Sequence, residues 1–480
     1  MPRTSPHFSA FHVWRHKTSH LAINALHYRR RTKSKRRWFV LKEFQIDLHM
    51  YQTPGRPAAD HGLSTSVNRM FESAFHSTPR LHGMQQYMSN DLLTRNSLLL
   101  VIVYLILVRI LRFRAIRKIE EKYACYVRDP YSMDYKTAHE IMKLSMLCDM
   151  PFGFGFGTQW ALLKTFAVSS GTPLLVQTRQ LTTETKIAKR AADTGAILSE
   201  FLIGSVDSDR GLKALSKLNW IHRRYGNRIT NDEMIHTLAM FVLEPQRWID
   251  RYEWRPMTNL EKNASYIYWK EIGNRMGIKD IPATLKDCEK WTYEFEKSNI
   301  YYCESNRICA ECTMDMLLKN IPKFMHSFVR GVSASFLEEH VRIALGMSSP
   351  PPWIANLVWL IFSARGWAIQ NLFLPRWRPL DMRAEQSSDG RFHSKSIGPE
   401  PWYIKDTMWN RWKTWWATQG RLAPGPQFKS NGYLPEELGP AEFEKLSRNS
   451  VLNEAGLMKE YAEKGGAAAV GCPFSASLNY

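Results

Sequence analysis

The stretch GLKALSKLNWIHRRY, residues 211–225, places apolar side chains three and four positions apart and contains no proline. Residues with this spacing lie on one face of an α-helix, so the stretch predicts an amphipathic helix. Its single histidine, His222, directly follows the apolar Ile221 and precedes Arg223 and Arg224. The sequence therefore predicts a helix that carries one imidazole toward the protein interior.

Helical periodicity dominates from Tyr123 onward. The segments with apolar residues at three- and four-residue spacing are 137–148, 159–166, 188–201, 211–225, 231–243, 259–276, 283–298 and 310–325. Thr230 followed by Asn231-Asp232-Glu233 predicts a capped helix start, and Pro245 predicts that this helix stops soon afterwards. Strand alternation is not convincing anywhere, and the chain has no internal repeat. We therefore predict an all-α fold with a single large helical domain at residues 123–374.

The positive charge is concentrated at the N-terminal end of the 480-residue chain. The formal net charge is +20, and residues 1–90 hold 14 Lys and Arg against 4 Asp and Glu. The excess over residues 123–480 is only six, too weak a bias to indicate a nucleic-acid partner, and none is expected. We predict a disordered basic extension over residues 1–90. The basic run at 29–37 is interpreted as a solvated tail, with a nuclear address or an acidic-lipid patch as alternatives.

The segment SLLLVIVYLILV, residues 97–108, is uncharged and extends to an apolar stretch over residues 92–111. Twenty helical residues can cross a bilayer, so we predict a transmembrane anchor there, with a buried core helix as the alternative. Basic residues follow at 109–118, and the positive-inside rule places the rest of the chain in the cytosol. WIANLVWLIF, residues 353–362, is too short to span and predicts a buried or interfacial helix. The Pro- and Trp-rich region at 375–480 either lies against lipid or packs on the core, and we predict packing.

Two further motifs resemble known sites only in part. PFGFGFGTQW, residues 151–160, has the spacing GxGxG instead of GxGxxG and follows no strand, so it predicts an interhelical bend and not a nucleotide loop. Cys303, Cys309 and Cys312 have the residue type of zinc ligands, but no second CxxC or HxxxH pair follows. Reduced structural thiols are the favoured interpretation. Motifs of hydrolases and zinc proteases are absent from the sequence.

Histidine offers the most promising chemistry. Nine of the 15 histidines precede residue 90, and the others are His139, His222, His236, His326, His340 and His393. In a helical protein one interior imidazole can bind a haem iron and leave the opposite face open for oxygen, whereas a hydrogen-bonded core histidine is the commoner case. Upstream, KRAADTGAI at 189–197 places Arg190, Asp193 and Thr194 along one helical face. Charge and hydroxyl groups on an otherwise apolar helix predict a polar cluster in a pocket.

The order of several short motifs is distinctive. Arg-x-x-Asp-Thr at 190–194 is followed by Leu-Asn-x-x-His at 218–222, Asn-Asp-x-x-x-x-Thr-Leu at 231–238, Glu-Pro-x-x-Trp-Ile at 244–249 and Tyr-x-Trp-Arg at 252–255. This series resembles the fungal oxygenases of the mpaB type, which are bound to the endoplasmic reticulum, and their relatives the bacterial rubber oxygenases (latex-clearing proteins). The resemblance extends from about Leu98 to GCPF at 471–474.

The resemblance implies an all-α fold with haem b in a pocket between helices, His222 as the proximal iron ligand and dioxygen as co-substrate. Rubber oxygenases carry Arg-x-x-Lys-Thr on the distal side; Arg190 and Thr194 match this motif, and Asp193 replaces its lysine. The resemblance therefore implies that Arg190, Asp193 and Thr194 are catalytic. Asp193 is either a base or a salt-bridge partner of Arg190. His236 is interpreted as structural and is the runner-up iron ligand.

The resemblance also implies an activity and a location. The expected reaction is oxidative cleavage of a C=C bond in a prenyl, terpenoid or other lipophilic small molecule, in secondary metabolism. The expected location is the endoplasmic reticulum membrane, with a single-pass anchor and a cytosolic catalytic domain. The alternatives are a non-catalytic haem- or lipid-binding membrane protein and a nucleic-acid-associated protein that uses the run at 29–37.

Overall fold

The computed structural model describes residues 79–466, with side chains described from Thr94 onward. Residues 1–78 and 467–480 lie outside the described residues; they include most of the predicted extension, its basic run and Cys472. The chain separates into two compact units, residues 1–86 and 87–480. All the site residues predicted above belong to the second unit.

Helices account for most of the described residues. In chain order they are α1 (Pro79–Arg112), α2 (Arg114–Lys122), α3 (Cys125–Arg128), α4 (Tyr135–Lys143), α5 (Pro151–Thr165), α6 (Thr172–Gln177), α7 (Glu184–Ser199), α8 (Asp209–Arg223), α9 (Asn231–Tyr252), α10 (Asn259–Arg275), α11 (Leu285–Asn299), α12 (Glu304–Leu318), α13 (His326–Ser335), α14 (Glu339–Ala344), α15 (Pro352–Leu372), α16 (Met408–Ala417) and α17 (Arg448–Glu463). The π-helical turns Leu144–Asp149 and Glu200–Gly204 extend α4 and α7. The strands β1 (Glu385–Gln386) and β2 (Phe392–His393) form a short antiparallel pair. The predicted all-α class is confirmed.

The start of α9 follows the predicted cap. The Thr230 hydroxyl accepts a hydrogen bond from the Glu233 N–H, and the Glu233 carboxylate accepts one from the Thr230 N–H. The predicted stop near Pro245 is wrong, because α9 continues through Pro245 to Tyr252. Proline removes one backbone hydrogen bond and crowds the preceding turn. Here every residue from 238 to 246 is buried, and this packing outweighs the local preference.

The glycine-rich stretch at 151–160 is helical, so the predicted interhelical bend is wrong. Pro151 opens α5 in the first turn, where its missing N–H costs nothing. A Cβ on Gly157 would lie 2.6 Å from the Cα of Pro245, and one on Gly153 would lie 2.7 Å from Cγ of Glu253. Gly153 and Gly157 therefore let α5 pack very closely on α9.

The helix predicted at 310–325 is shorter than expected. α12 ends at Leu318, and the 3-10 turn Lys323–Met325 leads into α13. Pro322 lies between them. Proline lacks an N–H and disfavours a helical conformation of the residue before it, which explains the break.

The anchor predicted at 92–111 lies within α1. Among the described helices, none combines the length and the apolar character needed to cross a membrane. Every side chain of α1 from residue 94 to residue 107 is exposed, so the alternative of a buried core helix is wrong. Packing begins at the buried Val108 and Arg112, and the guanidinium of Arg112 lies 5.2 Å from the ring centre of Trp254.

The main core lies where α4, α7, α8, α9 and α10 meet. Its most deeply buried side chains include Ile141, Phe201, Leu215, Met240 and Tyr268, one from each of these segments. Burial of a large apolar side chain stabilises a fold by about 1.5–3 kcal/mol. This junction fixes the relative positions of α7 and α8, the two helices that carry the predicted site residues.

Candidate active site

Arg190 and Thr194 lie one turn apart on α7. Thr194 Oγ1 donates a hydrogen bond to the Arg190 carbonyl at 2.8 Å and accepts one from Nη1 of Arg190 at 3.3 Å. Burial lowers the pKa of Arg190, although the ordinary value is high enough for the guanidinium to stay charged. Arg190 forms no ion pair within 4 Å among the described residues. This helix face therefore presents a cation without a paired counter-ion.

Asp193 has different partners. Its carboxylate is buried; Oδ2 accepts a hydrogen bond from Lys189 Nζ at 2.8 Å, and Oδ1 accepts one from the Tyr403 hydroxyl at 2.6 Å. Burial raises the pKa of Asp193, and the Lys189 cation opposes this effect. The anticipated salt bridge to Arg190 is not formed, because Lys189 is the paired cation. Asp193 connects α7 to the C-terminal region.

His222 lies in the last turn of α8, and its ring is partly exposed. Nδ1 is buried and has no hydrogen-bond partner among the described residues. Burial, together with the nearby Arg190 and Arg223 cations, lowers the pKa of His222 to about 4. The imidazole is therefore neutral at pH 7. A neutral imidazole with an unpartnered nitrogen is the form that binds metal ions.

Arg190 and His222 approach each other from α7 and α8. Of the charges that act on His222, that of Arg190 has the largest effect on its pKa. Both side chains keep some accessible surface, yet burial is the main influence on the pKa of each. The structure therefore brings Arg190, Thr194 and His222 together, whereas the Asp193 carboxylate is bonded to Lys189 and Tyr403.

Comparison with known proteins finds similarity to the family that the sequence motifs resemble. Residues 145–368 match the sequence model described as "ER-bound oxygenase mpaB/B'/Rubber oxygenase, catalytic domain". The chain is 26% identical over 384 residues to the ER-bound oxygenase mpaB' of Penicillium brevicompactum. The aligned region covers 75% of this chain and 90% of that protein. It is 27% identical over 261 residues to the ER-bound oxygenase mpaB of Penicillium roqueforti (strain FM164), with coverages of 51% and 88%.

Residues 145–368 are similar to the catalytic domain of this oxygenase family, and the relatives are named oxygenases. The chain is therefore an enzyme, an oxidoreductase of the oxygenase class. Arg190, Asp193, Thr194 and His222 all fall within the matched segment.

The environment of His236 in this oxygenase differs from that of His222. His236 is buried on α9, and its Nε2 lies 3.2 Å from Oε1 of Glu296. The other carboxylate oxygen of Glu296 lies 3.6 Å from Nε2 of His340. Burial raises the pKa of Glu296, but the two histidines outweigh this effect and lower it to about 2. The hydrogen bond to Glu296 supports the structural interpretation of His236.

The cysteines do not form a metal site. Within residues 94–466, no group of three or more His, Cys, Asp or Glu residues is arranged to hold a metal ion. Cys303, Cys309 and Cys312 are free thiols. Cys309 is buried in α12, and burial raises the pKa of its thiol to about 12. The described residues therefore give no support to the zinc alternative, and reduced structural thiols stay the prediction.

The C-terminal region contributes contacts that the sequence analysis missed. Glu454 on α17 accepts hydrogen bonds from Asn219 at 3.0 Å and from the guanidinium of Arg223, both on α8. Lys217, also on α8, donates to Ser447 Oγ at 2.7 Å. Burial lowers the pKa of Lys217 to about 8. No local motif marks Glu454 or Ser447, because each lies more than two hundred positions along the chain from its partner on α8.

Proposed function

We propose that this oxygenase uses haem b and dioxygen to cleave a C=C bond in a lipophilic substrate, such as a prenyl or terpenoid chain, in secondary metabolism. The observation that carries the proposal is the neutral His222, whose Nδ1 has no partner, beside an Arg190 cation without an ion-pair partner. The family description names rubber, an unsaturated hydrocarbon polymer, as one substrate. That name supports an apolar, unsaturated substrate here.

The residues present fit a haem held by one histidine. His222 offers an imidazole nitrogen that stays unprotonated above about pH 4. His222 would hold the haem iron, and the haem would supply the activation of dioxygen when bound. Nδ1 of His236 is also buried without a hydrogen-bond partner among the described residues, and we prefer His222 because it lies near the Arg190 cation and in the Leu-Asn-x-x-His motif.

We assign different roles to the three polar residues of α7. Arg190 holds a positive charge in a site from which most water is excluded, where it stabilises negative charge that develops on oxygen. Thr194 accepts a hydrogen bond from Arg190 and so orients the guanidinium. Asp193 is proposed as a positioning residue, because its bond to Tyr403 fixes the turn of α7 that carries Arg190.

We place the enzyme at the membrane of the endoplasmic reticulum. The relatives are named ER-bound, and α1 exposes an apolar surface over residues 98–107. A lipophilic substrate partitions into the bilayer, so an enzyme at its surface meets a high local concentration. A single-pass anchor with a cytosolic catalytic domain stays a prediction. Protease added to intact microsomes should degrade a C-terminal tag; protection of the tag would place the domain in the lumen.

An absorption spectrum tests the haem site. The full chain supplied with haem should show a Soret band that is lost in His222→Gln. His236→Gln is the matched control, because it also removes a buried histidine but should keep the band. A folded protein without the band, or a band that survives His222→Gln, would exclude the proposed ligand.

Oxygen uptake distinguishes catalysis from simple binding. We expect the haem-loaded chain to consume oxygen with an unsaturated terpenoid and to release carbonyl products of shorter length. A haem-loaded chain that consumes no oxygen with any unsaturated prenyl substrate would instead favour the alternative, a non-catalytic haem- or lipid-binding membrane protein.

A further inference from the structure

Eight of the 15 tryptophans within residues 94–466 are more than half exposed. They are Trp353, Trp359, Trp367, Trp377, Trp409, Trp412, Trp415 and Trp416. Tryptophan combines a large apolar body with one N–H donor, so it favours the boundary between water and an apolar phase. Four of the eight belong to α15 and the residues just after it. Half of the exposed tryptophans are therefore concentrated at α15.

The outward face of α15 is apolar and uncharged. Five of its large apolar side chains are more than half exposed: Trp353, Trp359, Leu360, Ile361 and Trp367, at 55–61% each. The opposite face packs inward, and a Cβ on Gly366 would lie 3.3 Å from the Glu253 carbonyl. The one charged residue of the helix, Arg365, is paired with Glu253 at 3.1 Å. Continuous exposed apolar surface of this kind marks an interaction site.

The end of α15 is attached to the apolar segment of α1. The Tyr104 hydroxyl donates a hydrogen bond to the Leu372 carbonyl at 2.9 Å, and the Arg112 guanidinium donates to the carbonyls of Phe373 and Leu374. Side chains at 94–107 of α1 are exposed on every side of the helix. An apolar surface around a whole helix suits lipid better than water. The medium that surrounds α1 at Tyr104 must therefore also reach the end of α15.

We propose that α15 is a second membrane contact, whose outward face lies in the interfacial layer of the bilayer that α1 enters. This inference rests on the proposed membrane location of the enzyme and adds a surface on the catalytic domain itself. Two features favour lipid over a protein partner. Neither residues 92–112 nor α15 contain an acidic residue. Exposed cations follow both helices, Arg114 and Arg117 after α1 and Arg376 and Arg378 after α15, and they suit lipid phosphates.

Photolabelling from within the bilayer tests the proposal. The full chain is inserted, one chain per nanodisc, into phosphatidylcholine with a minor fraction of phosphatidylserine and a phosphatidylcholine that bears a diazirine in its acyl chain. After illumination, adducts are located by mass spectrometry of peptides. We expect adducts on residues 97–110 and on residues 353–373. Adducts on α1 with none on α15 would overturn the second contact, whereas a lack of adducts on both would contradict the membrane location itself.

Two sets of variants identify what covers the face. The substitutions Trp359→Gln, Ile361→Gln and Trp367→Gln should abolish adducts on α15 and leave those on α1 unchanged. Tyr293→Gln, Leu446→Gln and Leu457→Gln are the control, because they remove three exposed apolar side chains elsewhere and should change neither. Loading one chain per nanodisc excludes a second copy as the cover. Adducts on α15 that persist in the first set would mean that the labelled surface is not this face, and the proposal would fail.

Discussion

Arg190 and Asp193 lie three positions apart on α7, but we expect Arg190 to contribute to catalysis and Asp193 to stability. Arg190→Ala removes a cation bonded to Thr194 alone, so we expect kcat to fall about 10²–10³-fold with a stability change below about 1 kcal/mol. Asp193→Ala removes the acceptor of the buried Tyr403 hydroxyl and leaves Lys189 with the Gly439 carbonyl and the more distant Glu444, so we expect a loss of about 3–5 kcal/mol. Oxygen uptake and urea unfolding measure the two effects. Equal losses of stability in both variants would contradict this division.

The neutral state of His222 makes the haem-free protein sensitive to acid. Its pKa is about 4 in the folded chain against an ordinary value of 6.5. Between these values the unfolded chain binds a proton that the folded chain does not, so stability falls as the pH drops from 6.5 toward 4. From pH 7 to pH 5 the wild type should lose up to about 2 kcal/mol more than His222→Gln, measured by urea unfolding. Identical pH dependence of the two proteins would show that His222 is not buried in a neutral form.

At the scale of elements, Gly157 is the glycine at which α5 comes closest to the backbone of α9. A side chain at Gly157 would meet the backbone of Pro245 at 2.6 Å, which cannot move without shifting a helix. We expect Gly157→Ala to destabilise the protein by about 1–3 kcal/mol, measured by thermal unfolding. Gly155→Ala is the control, because no atom lies within 4 Å of its added Cβ. Alanine is the better helix former, so this control should stabilise by up to about 1 kcal/mol. Destabilisation of similar size in both would contradict the packing argument.

Local signals in the sequence predicted which segments are helical. They did not predict that helices continue through residues, such as Pro245 and Gly157, that disfavour a helix. The cap at Thr230 was predicted because its signal lies within four residues. The continuation of α9 through Pro245 and the helical state of Gly157 were missed for one shared reason. Each residue is unfavourable in a helix alone, and the two become favourable where they meet across the α5–α9 contact. The contact joins residues that are far apart in the sequence, so no local pattern predicts it.

At the scale of the whole molecule, the candidate site depends on distant segments. The motifs placed Arg190, Thr194 and His222 on two helices, and the structure brings these helices together. The partner of Asp193, Tyr403, is 210 positions away and could not be predicted from local spacing. The same holds for Glu454, which binds α8 from α17. The C-terminal region thus contributes to the geometry of a site whose chemistry lies elsewhere in the chain.

This dependence predicts that a change far from the site in sequence will weaken haem binding. Glu454→Gln keeps the shape of the side chain but removes the charge that holds Arg223 one residue away from His222. We expect a loss of about 1–3 kcal/mol in stability and up to about tenfold faster haem release, measured by transfer to a haem-binding acceptor. Glu460→Ala on the exposed side of α17 is the control and should change stability by less than about 0.5 kcal/mol. If Glu454→Gln lowers stability but leaves haem release unchanged, then α17 stabilises the fold without positioning His222.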